Sequence, residues 1–294
     1  MARDGYLVHQ SAFLHIFALQ PTIQHMETGI CLHSIIPVRA DPSHKSEMAT
    51  QVLFGELYTV TGQETGWYKI RLSYDNYEGW IDILQSNLID EHEFSRLTDS
   101  EVSITLDLVQ LLSNENGKSL IPLVTGSSLP GLDKSRIRVG QEIFVYEGSV
   151  SDSRLHGSSK ISHNNLNCKP QLIEDAMLYM NAPYLWGGRS PFGLDCSGFV
   201  QMVYKLQGLK LFRDASQQAA QGEIVSLLAE AEPGDLAFFD DPEGKITHVG
   251  MLIDHHRIIH CSGRVQIDSL DHEGIYNANM QKYTHKLRLI KRII

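Results

Sequence analysis

A lone cysteine stands between Asp195 and Ser197 in the stretch GRSPFGLDCSGFVQMVYKLQG, at the point where a helix is predicted to begin. A thiol at a helix N-terminus faces free backbone N–H groups and the positive end of the helix dipole, which favours the thiolate. Most single cysteines are instead small buried apolar residues. The position of Cys196 makes a nucleophile the sharper hypothesis, and a nucleophile needs a base nearby.

Two histidines downstream could supply that base, His248 in KITHVGMLI and His260 in RIIHCSG. The strands that carry them are joined by the turn DHHR. A two-residue loop that pairs Asp254 with Arg257 would send the two imidazoles to opposite faces, because side chains alternate along a strand. A three-residue loop would pair Ile253 with Arg257 and bring both imidazoles to one face. A catalytic relay therefore requires the longer loop.

A metal site is the competing interpretation of this region. His256, His260 and Cys261 are close in sequence, but an HxxxH pair binds metal on a helix, and this segment is predicted to be a hairpin. The cysteines also lack CxxC spacing. We therefore predict no metal and no cofactor.

Composition limits the partners. The chain has 294 residues, 42% hydrophobic and 20% charged, and a formal net charge of -10 at pH 7. This charge opposes binding to nucleic acid and to anionic membranes, and no apolar run approaches the roughly 20 residues of a membrane span. The N-terminus is a poor secretion signal, and the scattered cysteines suit a reducing compartment. We expect a monomeric cytoplasmic protein with a small substrate, and a periplasmic or exported protein is the alternative.

The chain divides into segments of different character. After an N-terminal segment, residues 1–29, short alternating strands and turns predict a small all-β domain at 30–92. The ordered pieces PVRADPS, LFGE, GWYKI and YEGWI resemble a bacterial SH3-like (SH3b) domain. A second β-rich stretch, 93–165, contains VGQEIFVYEG, which echoes FGELYTVTG and predicts a diverged repeat of the same domain.

Residues 166–294 combine helices and strands. KPQLIEDAMLYM has helical spacing of apolar residues, a buried helix is predicted over 197–207, and Asp214 is placed to cap a short helix. Five strands follow, from DLAFF to KLRLIKRII. Helices followed by an antiparallel sheet indicate an α+β domain.

The blocks YLWGGRSPFGLDCSGFVQMVY, RDASQQA, EPGDLAFF and THVGMLIDHHRIIHCSG resemble the NlpC/P60 cysteine peptidases. The resemblance implies an α+β papain-like catalytic domain, preceded here by two small all-β SH3-like barrel modules. The whole chain is similar to γ-D-glutamyl-L-diamino acid endopeptidases, which act on bacterial cell-wall peptides. It implies that Cys196 is the nucleophile, His248 the base and His260 the polar third member. It also implies that the hydroxyl of Tyr184 supports the oxyanion, although an aromatic core residue is the plain alternative.

The same resemblance implies recognition of a free N-terminal L-Ala amine by an acid and a tyrosine of the first SH3b domain. The matching positions are Glu47 and Tyr77, and further substrate contacts are implied for Asp195, Ser197 and Asp214. From the residues alone, Glu47 could be a solvated surface acid and Asp214 simply a helix N-cap. A free-amine requirement indicates peptide recycling. The alternatives are an exported hydrolase of the intact wall and a non-catalytic wall-peptide-binding protein.

Overall fold

The computed structural model describes residues 27–117, 119–151 and 168–294, so most of the predicted N-terminal segment and the end of the predicted second β-rich stretch lie outside the described residues. Within these ranges, no helix is long and apolar enough to cross a membrane. Three regions follow one another along the chain. The first and the third of these regions meet at the candidate site.

The first region is a single antiparallel sheet of seven strands in the order β3-β2-β6-β5-β4-β1-β7. Its strands are β1 Thr28–Ile30, β2 Ile35–Arg39, β3 Met48–Leu53, β4 Leu57–Glu64, β5 Trp67–Leu72, β6 Glu78–Asp82 and β7 Leu88–Ile89. Alternating inward residues form its core, including Ile36, Val52 and Ile70, each fully buried. The all-β character predicted from the strand and turn pattern is observed.

A helix that the sequence analysis missed, α1 (Glu91–Thr98), separates the first two regions. The side chain of Asp90 caps it by accepting from the N–H of Glu93 at 2.8 Å. An acid before EHEFSRL was the available signal, since Asp is a favoured N-cap residue.

The second region does not repeat the first. It holds a four-stranded sheet in the order β10-β9-β13-β12 and a separate ribbon of β11 with β8. The strands are β8 Val102–Ile104, β9 Val109–Asn114, β10 Leu120–Val124, β11 Ser128–Pro130, β12 Arg136–Val139 and β13 Glu142–Tyr146. The sequence similarity between FGELYTVTG and VGQEIFVYEG extends only to a glycine at positive φ, Gly55 or Gly140, and the strand that follows it. Turn chemistry of this kind is local and does not specify the topology of a module.

The third region begins with helices and two short strands. These elements are α2 Cys168–Met177, β14 Arg189–Ser190, β15 Gly193–Leu194, α3 Cys196–Leu206 and α4 Ala215–Gln218. Every residue of α3 is buried, as its nearly all-round apolar sequence predicted. Gly208, with φ 71°, follows the helix in the left-handed conformation that commonly ends one.

The strands of the third region are antiparallel, as predicted, and they close into a barrel, which the sequence pattern did not indicate. They are β16 Glu223–Val225, β17 Leu236–Asp240, β18 Ile246–Asp254, β19 Arg257–Ser262, β20 Arg264–Leu270, β21 Gly274–Asn277 and β22 Lys282–Arg292. Strand β22 pairs with β21 near its start and with β17 towards its end, so six strands close and β16 joins outside. Its eleven residues are long enough to serve both neighbours, a long-range pairing that no local pattern reveals.

A buried charged cluster holds the first region against the third. The Arg189 guanidinium donates to both carboxylate oxygens of Glu56 at 2.9 Å, and the Lys205 ammonium donates to the same carboxylate at 2.7 Å. Arg189 and Lys205 are fully buried. The backbone of Gln51 accepts a further bond from Arg189 at 2.7 Å. The SH3-like region is thus packed onto the domain that carries Cys196.

Candidate active site

Cys196 is the first residue of α3, and Asp195 is its N-cap. One oxygen of Asp195 accepts from the N–H of Gly198 at 2.6 Å, which satisfies one of the free donors of the first turn. Cys196 is 8% exposed, and its sulfur lies 4.0 Å from the carbonyl oxygen of Thr247 on β18. The N–H of Val249 also faces it. The thiol therefore contacts the β18 backbone on both sides of His248.

Behind this contact the structure forms a chain of three polar side chains. His248 Nε2 lies 2.9 Å from His260 Nδ1, and His260 Nε2 lies 3.0 Å from Asp268 Oδ2. An ionised carboxylate only accepts, so His260 must carry its proton on Nε2 and accept on Nδ1. The proton between the two rings then belongs to His248 Nε2. This leaves His248 Nδ1 as the nitrogen free to act as a base.

The hairpin brings the two histidines to one face by a route that differs from the prediction. Asp254 pairs with Arg257 across a two-residue loop, which was expected to separate the imidazoles. A β-bulge at Ile253 shifts the register by one, so that His260 pairs with Gly250 as in the three-residue alternative. Side chains alternate along the strands as predicted, but the relay does not require the three-residue loop, because an extra residue within a strand has the same effect as one in the turn.

Asp268 is a member of the relay that sequence reasoning missed. Its carboxylate also accepts from Gln266 Nε2 at 3.0 Å and from Asn277 Nδ2 at 3.1 Å. Burial alone would raise the pKa of Asp268, but the hydrogen bonds from His260 and its neighbours lower it. A signal was available in VQIDSL, since strand alternation puts an acid two residues from the partner of His260 on the same face.

A third imidazole lies against the relay. The ring of His285, on β22, stacks on that of His248 with centroids 4.1 Å apart and planes 23° from parallel. Within the described ranges, His248, His260 and His285 are the one group of three such side chains close enough to suggest a metal site. A metal binds in the plane of each ring, along a nitrogen lone pair, which two nearly parallel stacked rings cannot both offer to one ion. Together with the direct hydrogen bond between His248 and His260, this geometry fits proton transfer better.

The metal set considered from sequence is not brought together. His256 is exposed in the turn, whereas the Cys261 thiol is buried and donates to the carbonyl oxygen of Leu194 at 3.2 Å.

Burial reverses the protonation expected from the helix position alone. It raises the pKa of the Cys196 thiol to about 12, with Asp195 contributing in the same direction. Burial also lowers the pKa of His248 well below its usual value, and His260 and His285 add to this effect. The resting pair is therefore a neutral thiol beside a neutral imidazole, and the proton must move as the sulfur attacks.

Tyr184 is held close to the nucleophile. Its N–H donates to the carbonyl oxygen of Gly263 at 2.9 Å, and the next residue, Leu185, donates to Leu194 at 2.9 Å. Burial raises the pKa of the Tyr184 hydroxyl, and the neighbouring Cys196 thiolate would raise it further. The phenol stays protonated and can donate a hydrogen bond, as its predicted role requires.

The predicted substrate residues fall into two groups. Glu47 and Tyr77 lie where the first region meets the third: Glu47 accepts from the indole N–H of Trp186, and the Tyr77 hydroxyl donates to Asp214 at 3.2 Å. Asp214 is also the N-cap residue of α4, as predicted. These three side chains thus border the junction between the SH3-like region and the nucleophile domain.

Asp195 and Ser197 are occupied within the protein. Both oxygens of Asp195 bind Arg213, at 2.6 and 3.0 Å, and the hydroxyl of Ser197 accepts from the same guanidinium at 2.9 Å. A second Asp195 contact comes from the N–H of Gly187 at 2.9 Å. The structure therefore gives these residues a role in shaping the nucleophile turn, and their substrate contacts stay a prediction.

A cleft of about 1180 Å³ opens beside the relay and is lined only by residues of the third region. Thr247, whose carbonyl faces the thiol, and His285 both border it. Its other walls carry charges of both signs, from Asp240, Asp241, Glu243, Glu273, Lys286 and Arg288. The first region does not line this cleft, and Cys196, His248 and His260 are not among its lining residues.

Comparison with known proteins agrees with this geometry. Residues 181–287 match the NlpC/P60 family, and residues 38–84 match the bacterial dipeptidyl-peptidase Sh3 domain. One SH3 domain is matched where two were predicted. This corrects the prediction of two SH3-like barrels and agrees with the different sheet order of the second region.

Relatives match most of the chain. It is 29% identical over 269 residues to a γ-D-glutamyl-L-lysine dipeptidyl-peptidase of Bacillus subtilis, covering 83% of this chain and 81% of the relative. It is 27% identical over 251 residues to dipeptidyl-peptidase 6 of Lysinibacillus sphaericus, covering 80% and 88%. The crystal structure of an NlpC/P60 family protein from Bacillus cereus superposes with a TM-score of 0.73 at 21% identity, covering 91% of this chain and 99% of that one. The chain therefore carries an NlpC/P60 domain at residues 181–287 and a bacterial SH3 domain ahead of it at residues 38–84.

Proposed function

We propose that this protein is a cysteine endopeptidase that hydrolyses the bond between γ-D-glutamate and a diamino acid in bacterial cell-wall peptides. The observation that carries the proposal is the placement of Cys196 at a helix start, against the strand that bears a histidine relay ending in Asp268. The name of the Bacillus subtilis relative, a γ-D-glutamyl-L-lysine dipeptidyl-peptidase, supports the bond type and favours lysine as the diamino acid.

The reaction follows from the proton positions. The sulfur of Cys196 attacks the γ-carbonyl carbon while its proton passes to His248 Nδ1, and His260 and Asp268 stabilise the imidazolium that forms. The backbone N–H of Cys196 and the hydroxyl of Tyr184 stabilise the tetrahedral oxyanion. The imidazolium then protonates the leaving amine, the C–N bond breaks, and water hydrolyses the thioester with the imidazole as base.

The junction of the two regions is proposed as an amine gate. The Glu47 carboxylate and the Tyr77 hydroxyl would receive the free ammonium of an N-terminal L-Ala, with Asp214 completing the acidic wall. A blocked terminus would leave a carboxylate desolvated and without a cation, which is a strong basis for discrimination. Support comes from the position of all three side chains where the SH3 domain meets the catalytic domain.

The gate leads to a proposal about biological role. In intact wall the L-Ala amine is amide-linked, so a free-amine requirement favours released peptides and hence recycling. A cytoplasmic location, a monomeric state and the boundaries at 30, 93 and 166 remain predictions that belong to this proposal.

The test is mass spectrometry of products from L-Ala-γ-D-Glu-L-Lys and its N-acetylated form. We expect L-Ala-D-Glu and free lysine from the first peptide, none with Cys196→Ala, and at least a tenfold lower kcat/KM for the second, because a lost charge-assisted hydrogen bond costs about 1.5–3 kcal/mol. Glu47→Gln should narrow the difference between the two peptides by slowing cleavage of the free one. Equal cleavage of both peptides would refute the gate alone.

Two rival functions make different predictions. An exported wall hydrolase would release peptides from intact sacculi at a rate comparable with the free peptide. A non-catalytic binding protein would retain the peptide without products. Failure to cleave either peptide or sacculi, by a protein that binds the peptide, would overturn the proposed chemistry.

A further inference from the structure

Arg213 is a fully buried cation, 1% exposed, on the loop between α3 and α4. Its guanidinium makes four hydrogen bonds, all of them to side chains of the protein. Two go to the Asp195 carboxylate at 2.6 and 3.0 Å, and one goes to the Ser197 hydroxyl at 2.9 Å. The two bonds to Asp195 form the parallel fork that Arg makes with carboxylates and Lys cannot copy.

The partners of Arg213 flank the nucleophile. Asp195 immediately precedes Cys196 and Ser197 immediately follows it, so one guanidinium holds both neighbours of the reactive residue. The Asp195 carboxylate also fixes the turn from both sides, because it accepts from the N–H groups of Gly187 and Gly198. The turn that carries Cys196, whose N–H is proposed to bind the oxyanion, is thus held by hydrogen bonds to one carboxylate.

The negative charge of Asp195 opposes ionisation of the Cys196 thiol, and the positive charge of Arg213 can offset this effect. A carboxylate next to the sulfur opposes formation of a second negative charge there, and the effect is strong in a buried site. Asp195 does raise the pKa of the thiol, whereas Arg213 lowers it. The other titratable groups near the sulfur are Tyr184, Cys261 and the neutral His248, so Arg213 is the cation that opposes Asp195 in this part of the structure.

The fourth hydrogen bond of Arg213 joins the catalytic domain to the SH3 domain. Its Nε donates at 2.8 Å to the hydroxyl of Thr50, a fully buried residue on β3 of the SH3 domain. The guanidinium is therefore oriented from one side by the SH3 domain and from the other by the nucleophile turn.

We infer that Arg213 is a positioning residue that neutralises the Asp195 carboxylate beside the nucleophile and lets the docked SH3 domain, through Thr50, orient the turn that carries Cys196. The inference concerns the proposed nucleophile but needs no knowledge of its substrate. The SH3 domain then contributes to the chemistry of the thiol as well as to peptide binding.

The experiment measures alkylation of Cys196 by iodoacetamide at pH 8.5, read by mass spectrometry of the peptide containing Cys196. At this pH the rate is proportional to the thiolate fraction, so one unit of thiol pKa corresponds to a tenfold rate. Four variants of the full chain are compared with wild type: Arg213→Met, Arg213→Lys, Asp195→Asn, and the double variant Asp195→Asn with Arg213→Met. Circular dichroism and thermal unfolding check that each is folded.

The charges of Asp195 and Arg213 predict the order of the alkylation rates. Arg213→Met should slow alkylation about tenfold, because Asp195 is left unopposed, and Asp195→Asn should accelerate it severalfold. The double variant should return to within about threefold of wild type, since Asn can still cap the helix and neither charge remains. Arg213→Lys keeps the charge without the fork, so its alkylation rate should stay near wild type while its peptidase kcat falls.

A purely structural role would give a different pattern. The double variant would then be at least as impaired as either single variant, and the order would not follow charge. That result overturns the inference, as would an Arg213→Met rate equal to that of wild type. Thr50→Val tests the link to the SH3 domain, and we expect a kcat loss of about threefold to tenfold with KM little changed. An unchanged kcat would refute the part of the inference that assigns the SH3 domain a role in orienting the nucleophile turn. Because alkylation uses no peptide, failure of the proposed substrate would leave these results interpretable.

Discussion

At the scale of single residues, the protonation states of Cys196 and His248 decide how this site can react. The hydrogen-bond chain places the mobile proton on His248 Nε2 and leaves Nδ1 free, while burial keeps both the thiol and the imidazole neutral. Such a pair differs from a preformed thiolate–imidazolium ion pair. The difference can be measured through pH.

The first prediction concerns the pH dependence of the free thiol. Because burial raises the pKa of Cys196 to about 12, alkylation by iodoacetamide should rise about tenfold per pH unit from pH 7 to pH 9, without a plateau. Because the pKa of His248 is lowered, the base should remain neutral and peptidase activity should persist below pH 6.5. An alkylation rate that is flat across pH 6–8 would reveal a preformed ion pair and contradict this account.

The second prediction concerns Asp268. Its removal in Asp268→Ala frees His260 to rotate or change tautomer, so kcat should fall about tenfold to a hundredfold with KM changed little. His260→Ala should be affected to a similar degree, and His248→Ala as severely as loss of the thiol. Asp271→Ala removes an acid just beyond the same strand and should keep wild-type kinetics. Equal kcat in Asp268→Ala and wild type would remove Asp268 from the relay.

At the scale of elements, small irregularities place the reactive groups. The bulge at Ile253 shifts the register of the β18–β19 hairpin. A tight turn before α3 places Gly187 against Met48 of the SH3 domain. Gly187 has φ 73°, and a Cβ there would lie 2.1 Å from the carbonyl oxygen of Met48. This backbone-to-backbone approach cannot be relieved by a change of rotamer.

The third prediction follows from that approach. Gly187→Ala should lower the free energy of unfolding by about 1–3 kcal/mol more than Gly66→Ala, and it should reduce kcat because Gly187 also binds Asp195. Gly66 is the matched control, with φ 81° and open space where its Cβ would be. Both changes strain the backbone, so urea unfolding of the pair isolates the clash. Equal losses of unfolding free energy in Gly187→Ala and Gly66→Ala would mean that the two domains separate readily at this point.

At the scale of the whole molecule, a buried ionic cluster joins the SH3 domain to the catalytic domain. Burial by itself would raise the pKa of Glu56, but Arg189 and Lys205 outweigh it and lower the pKa to about 2. A carboxyl pKa that is lower in the folded state stabilises the protein above its unfolded value near 4.5, and this stabilisation is lost as pH falls towards 2. Domain docking should therefore be sensitive to acid.

The fourth prediction tests this coupling. Between pH 5 and pH 3 the wild-type free energy of unfolding should lose about 2 kcal/mol through Glu56 alone, and the loss should be smaller in Glu56→Gln. At pH 7 the same variant should be destabilised by about 3–5 kcal/mol, because two buried cations lose their carboxylate. Glu78→Gln breaks an exposed ion pair with Arg71 and should change stability little. Identical acid profiles for wild type and Glu56→Gln would rule out the cluster as the source.

Local patterns were sufficient for much of this protein. The start of α3 at Cys196, its termination before Gly208, the N-cap at Asp214 and the strands carrying His248 and His260 were predictable, because caps, turns and side-chain periodicity act within a few neighbouring residues. The family resemblance of the blocks around Cys196 and His248 was confirmed by the comparisons. The position of Cys196 at a helix start and of His248 and His260 on adjoining strands could therefore be predicted from the sequence.

Tertiary structure alone decided how that chemistry is supported. Asp268, His285 and Arg213 reach the site from elements distant in sequence, and their contacts depend on strand register, barrel closure and domain docking. Burial also changed the protonation expected for Cys196, because a helix terminus acts locally whereas desolvation is imposed by everything packed around the sulfur. The bulge at Ile253 illustrates the same limit: one extra residue reverses side-chain parity, and only the paired strands reveal where it lies.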